Sequence, residues 1–377
     1  MIIRKAFQFH LRPTKKQAKA LQFHLDECRW LYNELLEQRK TSYLELEKSL
    51  TRTQQYGFIP HLVQERPGLA LIHSQVLQNV ADRLDKSYKA FFRRVKSGET
   101  AGFPRFKGYN QYNSFCFAQS GFSLATGCVK LSKIGVVRLK LHREMQGKVK
   151  TCIIKKTTSG SWLITFACEI EASSFPVLET SVGIDVGLTN FAIFSDGKSI
   201  ENPRFFKKEA AALAKAQKKL AKEKKGTVKR KQKRIVVAKI HRRIANKRKN
   251  FCHQESKKII DNYQYICIED LNIKKMVENG FLAKSIADAS WGLFRQHLTY
   301  KAEYAGRKLG VVNPAYTSQT CSNCKNVEAK KLSQRKHSCI LCGYQDSRDG
   351  NASKNILALG LDGQQETARS SRLQARE

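Results

Sequence analysis

Acidic residues are scarce in this chain of 377 residues, with 32 Asp and Glu against 69 Lys and Arg, a net charge of +37. Such an excess disfavours self-association and calls for a polyanion, nucleic acid ahead of a membrane surface. Long apolar runs are missing as well. No stretch of 18 apolar residues is present to span a bilayer, and Met1-Ile2-Ile3-Arg4-Lys5 lacks the apolar core of a signal peptide. A soluble cytoplasmic, nucleoid-associated protein with no membrane partner is therefore expected. Internal repeats are absent, and so is a G-x-x-x-x-G-K-[ST] loop, which argues against ATP use. The length allows two or three cores. Of the 11 cysteines, Cys28, Cys116, Cys128, Cys152, Cys168, Cys252 and Cys267 are scattered through apolar or mixed segments and read as free thiols of a reducing compartment.

What is present falls into distinct stretches. Ile3, Phe7, Phe9 and Leu11 alternate and predict a strand over 2–11. Arg12-Pro13 breaks it, and Thr14 caps a helix whose apolar positions Ala18, Leu21, Leu25, Cys28, Tyr32 and Leu35 recur at steps of three and four. A loop holding Gly57, Pro60, Pro67 and Gly68 is expected next. Ser74 then caps a second helix with Val76, Val80, Leu84, Tyr88, Phe91 and Val95 on its apolar side and Arg93, Arg94 and Lys96 on its rim. From Ala101 rings and cations interleave: Phe103, Arg105, Phe106, Lys107 and Tyr109 suit nucleic-acid backbone and bases, although folded loops use such residues too. Short alternating runs at 128–131, 136–141, 149–156 and 162–169 predict a compact β-barrel. The first strand would join it and leave the helices as an insertion.

Ser173, Ser174 and Pro176 read as a linker. SVGIDVGLTNFAIFSDG, residues 181–197, then predicts a strand, a turn and a strand, with Val182, Ile184 and Val186 on one face and Asp185 on the other. A charge in that setting must be paired or hold a cation, and this stretch alone leaves both readings open. Residues 207–249 carry 19 Lys or Arg against only Glu209 and Glu223, on two helices joined around Gly226-Thr227. A surface of one sign repels itself unless a polyanion neutralises it, so Lys229, Arg230, Arg242 and Arg243 are candidate backbone contacts. Tyr265 to Ile268 reads as a buried strand with Glu269 at its carboxyl end, where ligands gather in open α/β sheets, although a capping or loop acid is the plainer reading. Trp291, Phe294, Leu298, Ala302, Ala305 and Leu309 predict a helix stopped by Gly310.

The most specific motif is a pair of C-x-x-C knuckles, Cys321–Cys324 and Cys339–Cys342, separated by 14 residues. Four thiolates in that spacing complete a closed, structural Zn²⁺ site, whereas a redox dithiol needs only one pair. Beyond it a helix is expected over 352–359 with Asp349 near its first turn, where a capping role is the default, and a disordered tail over 361–377. Asp185, Glu269 and Asp349, on a strand, a strand end and a helix start, follow the order used by ribonuclease-H-like nucleases. Acids so gathered hold two divalent ions, Mg²⁺ or Mn²⁺, that activate water and stabilise the leaving oxygen of a phosphodiester. From the residues alone the reading is a metal-dependent nuclease with a large nucleic-acid surface.

The chain also resembles the TnpB family, RNA-guided nucleases encoded by insertion sequences and related to type V CRISPR effectors. The resemblance runs through KAFQFHLRPTKKQ (5–17), GFPRFK (102–107), GIDVGLTNFA (183–192), IANKRKNF (244–251), CIEDLNI (267–273), NPAYTSQTCSNC (313–324) and RDGNASKNI (348–356), and so covers nearly the whole chain. It implies an α/β plus β-barrel architecture: a wedge β-barrel from 1–10 and 101–175, a helical recognition lobe over 11–100, a RuvC-like nuclease domain from 176–316 and 346–360, and an inserted zinc ribbon at 317–345. It further implies Asp185, Glu269 and Asp349 as catalytic acids, a guide RNA made from the end of the element, and cleavage of target double-stranded DNA beside a short motif. One departure is Ser347, which stands where the family carries the first Asp of an Asp-Arg-Asp run; activity is still expected, with that corner of the site in question. A nuclease-inactive RNA-guided repressor is the alternative and predicts a damaged acid triad, which this chain does not have. A guide-free structure-specific nuclease ranks third.

Overall fold

A computed structural model describes residues 2–171, 175–278, 280–331 and 333–374, with side chains as far as 363, and the counts below are of those residues. Ser173 and Ser174, read as a linker, lie outside them. The chain divides into two compact units, residues 1–171 and 172–377.

In the first unit, strand β1 (Ile2–Arg12) is followed by helices α1 (Lys15–Leu46), α2 (Arg52–Glu65) and α3 (Ser74–Lys96). Six strands follow: β2 (Ser114–Phe117), β3 (Phe122–Ala125), β4 (Cys128–Leu131), β5 (Gly135–Lys140), β6 (Lys148–Lys156) and β7 (Trp162–Glu171). All seven form one antiparallel sheet in the order β2-β6-β7-β1-β5-β4-β3. The amino-terminal strand thus lies at its centre, paired along its length with β7 from Ile2↔Glu171 to Leu11↔Trp162. Phe117 and Phe122, at the ends of the two edge strands, stand 6.4 Å apart at their ring centres, so the sheet curls into a nearly closed barrel. Alternate residues of β1, Phe7, Phe9 and Leu11, fill the interior with Phe115, Phe166 and Ile164, in one core shared with the helices.

Two local expectations fail here. The loop expected around Gly57 and Pro60 is helix α2, because Thr51 and Gln54 form a capping box and burial of Ile59 and Leu62 offsets the proline. Ser74 is not a cap but the first residue of α3; His73 stands at the cap position, without a side-chain bond. Thr14, by contrast, caps α1 through a reciprocal bond with Gln17.

The second unit carries β8 (Ser181–Val186), β9 (Asn190–Phe194), β10 (Ser199–Glu201), α4 (Phe205–Ala221), α5 (Val228–Asn262), β11 (Tyr265–Glu269), α6 (Ile273–Glu278), α7 (Ala283–Ala289), α8 (Trp291–Tyr304) and β12 (Lys308–Val312). After them come a hairpin, β13 (Lys336–Ser338) and β14 (Gln345–Ser347), and helix α9 (Arg348–Gln374). The sheet order is β10-β9-β8-β11-β12, antiparallel from β10 to β8 and parallel from β8 to β12. Val182, Ile184, Ile266 and Ile268 face α5 and α8 in the main core, whereas Cys267 and Val312 face α9 with Ile356. Helix α8 stops before Gly306, which takes a left-handed φ of +63°, rather than at Gly310. Leu309 and Gly310 pair with Ile266 and Cys267 instead, because the run ending in Val311-Val312 completes the sheet. The tail expected to be disordered from 361 continues α9 to Gln374, as no proline follows Arg348 to stop the helix; residues 375–377 lie outside the described residues. Among the described residues, no helix is long and apolar enough to cross a membrane.

Candidate catalytic and metal sites

Three acids meet at the carboxyl ends of the parallel strands. The β8/β11 register runs from Tyr265↔Ser181 to Ile268↔Ile184, so Glu269 is the next rung beside Asp185 on the same face. Strands in such a ladder lie about 4.8 Å apart. Helix α9 covers that face at very close range. A Cβ on Gly183 would lie 2.0 Å from the Ser353 carbonyl oxygen, and one on Gly360 would lie 2.2 Å from Cys267 Sγ. Glycine at these two positions lets the helix axis drop onto β8 and β11. The first turn of α9 then brings Asp349 to the loop after β8, where its Oδ2 lies 3.9 Å from the Cβ position of Gly187.

The cap of α9 is supplied by Ser347, whose Oγ accepts from Gly350 N at 2.9 Å. That leaves Asp349 out of the capping role that its position suggested. The same bond accounts locally for the departure at Ser347: its hydroxyl does for the helix end what an aspartate oxygen would do.

All three acids are half-buried. The Asp185 carboxyl is pushed well above the usual carboxylate range by desolvation, then by the charges of Glu269 and Asp349; Arg348 and the Val186 N–H only partly oppose this. Desolvation also pushes Glu269 up, against a hydrogen bond from Thr317 Oγ1 at 2.6 Å. Among the described residues no Lys or Arg forms an ion pair with any of the three, whereas neighbouring Asp270 is paired with Arg295. The three carboxylates thus gather like charges without an ion-pair partner and offer oxygen donors, the ligand type of hard divalent ions, while among the described residues only the four cysteines below bring ligand atoms within 4.8 Å of one another.

The zinc motif is closed. The Sγ atoms of Cys321, Cys324, Cys339 and Cys342 all lie within 4.8 Å of one another. Each knuckle folds back on its first cysteine: Cys321 N bonds Asn326 O and Cys339 N bonds Tyr344 O. The residue after each second cysteine, Lys325 or Gly343, takes a left-handed φ of +65° or +70°. The pairing of unlike knuckles in the same geometry is the closed tetrahedral pattern of a structural site. His337 is buried and contacts Lys330, outside the thiolate set.

The basic candidates divide. Arg105 and Lys229 are exposed. Lys107 is held at home: its backbone exchanges two bonds with Asn33, and its ammonium sits 5.4 Å from the Tyr32 ring centre. Phe103 packs edge-on against Tyr88 and Phe91, and Lys40 covers Phe106, so the aromatic loop docks on its own helices while Tyr109 remains exposed. Arg230 donates to Leu220 O and Glu223 O at the end of α4, a structural bond that composition could not reveal. Arg242 is half-buried, and Arg243 pairs with Glu209 at 3.2 Å. The α4/α5 hairpin closes over Leu213, Ala216, Ile240 and Ile244. Its base is fixed by Asp288, which accepts from Phe206 N and from Arg248.

Sequence reasoning missed Asp288, Thr317, Asn351 and Asn355. The last three are buried and bonded near the acids, and the only signal was a run of small polar residues in 317–322 and 351–355.

Comparisons with known proteins place these features among relatives. Residues 166–280 match a family model of insertion-sequence OrfB proteins described as "Probable transposase", and residues 291–356 match a Cas12f1-like TNB domain. Residues 1–48 match a model described as a helix-turn-helix domain, although the described residues there hold β1 and the single helix α1. A "Putative RNA-guided DNA endonuclease" of Streptomyces pristinaespiralis is 30% identical over 95% of this chain and 90% of its own. A protein of the same description from Escherichia coli, InsQ, is 30% identical over 94% and 92%. The CRISPR-associated endodeoxyribonuclease Cas12f1 of Sulfoacidibacillus thermotolerans is 34% identical over 32% of this chain and 29% of its own. The solved mini-RNA-guided endonuclease CRISPR-Cas_phi3 aligns over 95% and 92% at 9% identity with a TM-score of 0.47, a loose likeness.

Proposed function

Because the chain belongs to the insertion-sequence OrfB family, the TnpB family, we propose that it is an RNA-guided DNA endonuclease that cuts at Asp185, Glu269 and Asp349. The observation that carries the assignment of the site is the convergence of these acids, from β8, β11 and α9, with no ion-pair partner among the described residues and with Asp185 pushed up by desolvation and then by its two neighbours. Asp185 and Glu269 form one wall of the site, and Asp349 closes it from the helix. These oxygens would hold Mg²⁺ or Mn²⁺, which would supply an activated water and charge neutralisation on the phosphodiester. The protein's own part is to hold three half-buried carboxylates at fixed spacing, with Thr317 bonding Glu269 and Ser347 fixing the helix that carries Asp349.

In this reading the five-stranded sheet with α9 is the RuvC-like nuclease domain, and the four cysteines hold zinc in a ribbon inserted at 317–345. The seven-stranded barrel is the wedge, with the helices between its first two strands as the recognition lobe. The partners are a guide RNA transcribed from the element end and duplex DNA recognised beside a short motif. Exposed cations, Arg105 and Lys229 among them, bind phosphate. The repressor reading is disfavoured, because all three acids are present and brought together.

The test is to purify the protein with its own RNA, sequence that RNA, and assay a matching duplex. Cleavage should require Mg²⁺ or Mn²⁺ and stop in EDTA. Tight guided binding without cleavage would favour the repressor, and the absence of any defined RNA would sink the guided mechanism.

A further inference from the structure

We infer that Thr317 is a positioning residue for Glu269, and that through it the cysteine ribbon and the acid site form a single bonded frame. The inference rests on the assignment of Glu269 as a metal-binding acid. Thr317 is 4% exposed. Its Oγ1 lies 2.6 Å from Glu269 Oε1 and 3.1 Å from Pro314 O. A hydroxyl has one proton to give, and the shorter, charge-assisted bond to the carboxylate takes it. One Glu269 oxygen is thereby fixed in direction, which leaves the other as the oxygen for a metal ion. A ligating carboxylate held in this way loses the rotational freedom that would otherwise oppose metal binding.

Thr317 is itself held from two sides. Its carbonyl accepts from Asn355 Nδ2 at 3.0 Å, and the Thr320 carbonyl accepts from Asn355 and Asn351, each at 2.7 Å. Asn351 also accepts from Ser322 N at 2.8 Å, next to the zinc-motif residue Cys321. Arg348 donates to Ser318 Oγ at 3.0 Å. Three side chains of the first two turns of α9 therefore grip the segment 317–322, which enters the first knuckle. Asp349 stands on the same turns. Thr317, Arg348, Asn351 and Asn355 are buried, where an unmade hydrogen bond is costly, so the frame resists partial loosening. The ribbon consequently orients an acid on a different strand, in addition to stabilising its own fold.

The experiment compares Thr317→Val, which keeps the shape and removes the hydroxyl, with Thr317→Ser, which keeps the hydroxyl. Single-turnover cleavage by the purified ribonucleoprotein is followed on its matching duplex across a Mg²⁺ series, with zinc content and target binding measured on the same samples. Thr317→Val should cleave about 10–100-fold more slowly at limiting Mg²⁺, with recovery as Mg²⁺ rises and with zinc and target binding unchanged. Thr317→Ser should recover most of the rate. A Thr317→Val protein with the unaltered rate and Mg²⁺ midpoint would overturn the inference. Loss of zinc or of target binding would overturn it too, since the role would then lie in folding. Glu269→Gln is the control for the underlying reading: if it cleaves normally, the assignment of the acid fails; if it is inactive while Thr317→Val is normal, only the positioning role fails.

Discussion

Replacing Gly183 by alanine tests the whole geometry of the site with one methyl group. The new Cβ would lie 2.0 Å from Ser353 O, 2.6 Å from Leu357 N and 2.9 Å from Leu357 Cβ. Two of these three are backbone atoms of α9, so no side chain can swing aside. Ordinary contact begins near 3.4 Å, and the helix must retreat from β8 by more than an ångström. Overpacking of this kind costs about 1–3 kcal/mol, which lowers the melting temperature by roughly 2–12 °C in a unit of this size. The larger effect falls on catalysis, because Asp349 rides on the first turn of the displaced helix while Asp185 stays with the strand. A misplacement of about 1 Å is enough to slow a positioned reaction by about 10²-fold. The assay is metal-dependent cleavage by the guided complex, with target binding and thermal melting alongside. Gly57→Ala is the control: Gly57 lies inside α2 with nothing within 4 Å of its Cβ position, and alanine there should stabilise by about 0.5–1 kcal/mol. If Gly183→Ala cleaves and melts like the parent protein, α9 does not govern the relation between Asp185 and Asp349, and the reasoning is refuted.

Asp185→Ala, Glu269→Ala and Asp349→Ala should each abolish cleavage while guided binding, which rests on the basic surface, is largely kept; full cleavage by any one variant removes that residue from the site. Asp185→Asn should melt higher than the parent in EDTA at pH 7. The folded-state pKa of Asp185 is raised, so its ionised form destabilises the fold above that value and costs nothing below the unfolded value of about 3.9. The gain should therefore shrink as the pH falls toward 4, and a gain independent of pH would contradict the burial and charge argument. Cys342→Ser should lose zinc and lower both stability and cleavage, checked by elemental analysis and melting. Lys229→Gln combined with Arg242→Gln should flatten the salt dependence of RNA or DNA binding by up to about one log-log unit per lost phosphate contact, whereas Arg230→Gln should act mainly through stability; parallel salt plots would make the hairpin a solvated face only.

Where a residue's environment is set by a local period, its place was legible. The barrel strands are readable because an interior filled by side chains enforces alternation, as in Phe7, Phe9 and Leu11, whereas the place of β1 at the centre of the sheet depends on its pairing with β7 and β5. The three acids were readable as candidates from the elements that carry them. Their meeting was not, since it depends on the β8/β11 register and on Gly183 and Gly360 admitting α9. Composition was least informative about cations and rings, which look alike whether they face solvent or their own fold. Arg230 bonds the end of α4 and Phe103 packs on α3, while Lys229 and Tyr109, close to them in sequence, remain exposed.

The corner at Ser347 shows how the two kinds of information combine. Position alone made Asp349 a helix cap, and the missing first aspartate made the corner doubtful. A helix N-terminus needs an oxygen for its unpaired N–H groups, and once Ser347 Oγ accepts from Gly350 N that need is met two residues before Asp349. The aspartate is then left beside Asp185, where its charge raises the cost of ionising that carboxyl. The departure at Ser347 therefore separates two duties: the serine ends the helix, and Asp349 is left to the role proposed for it beside Asp185.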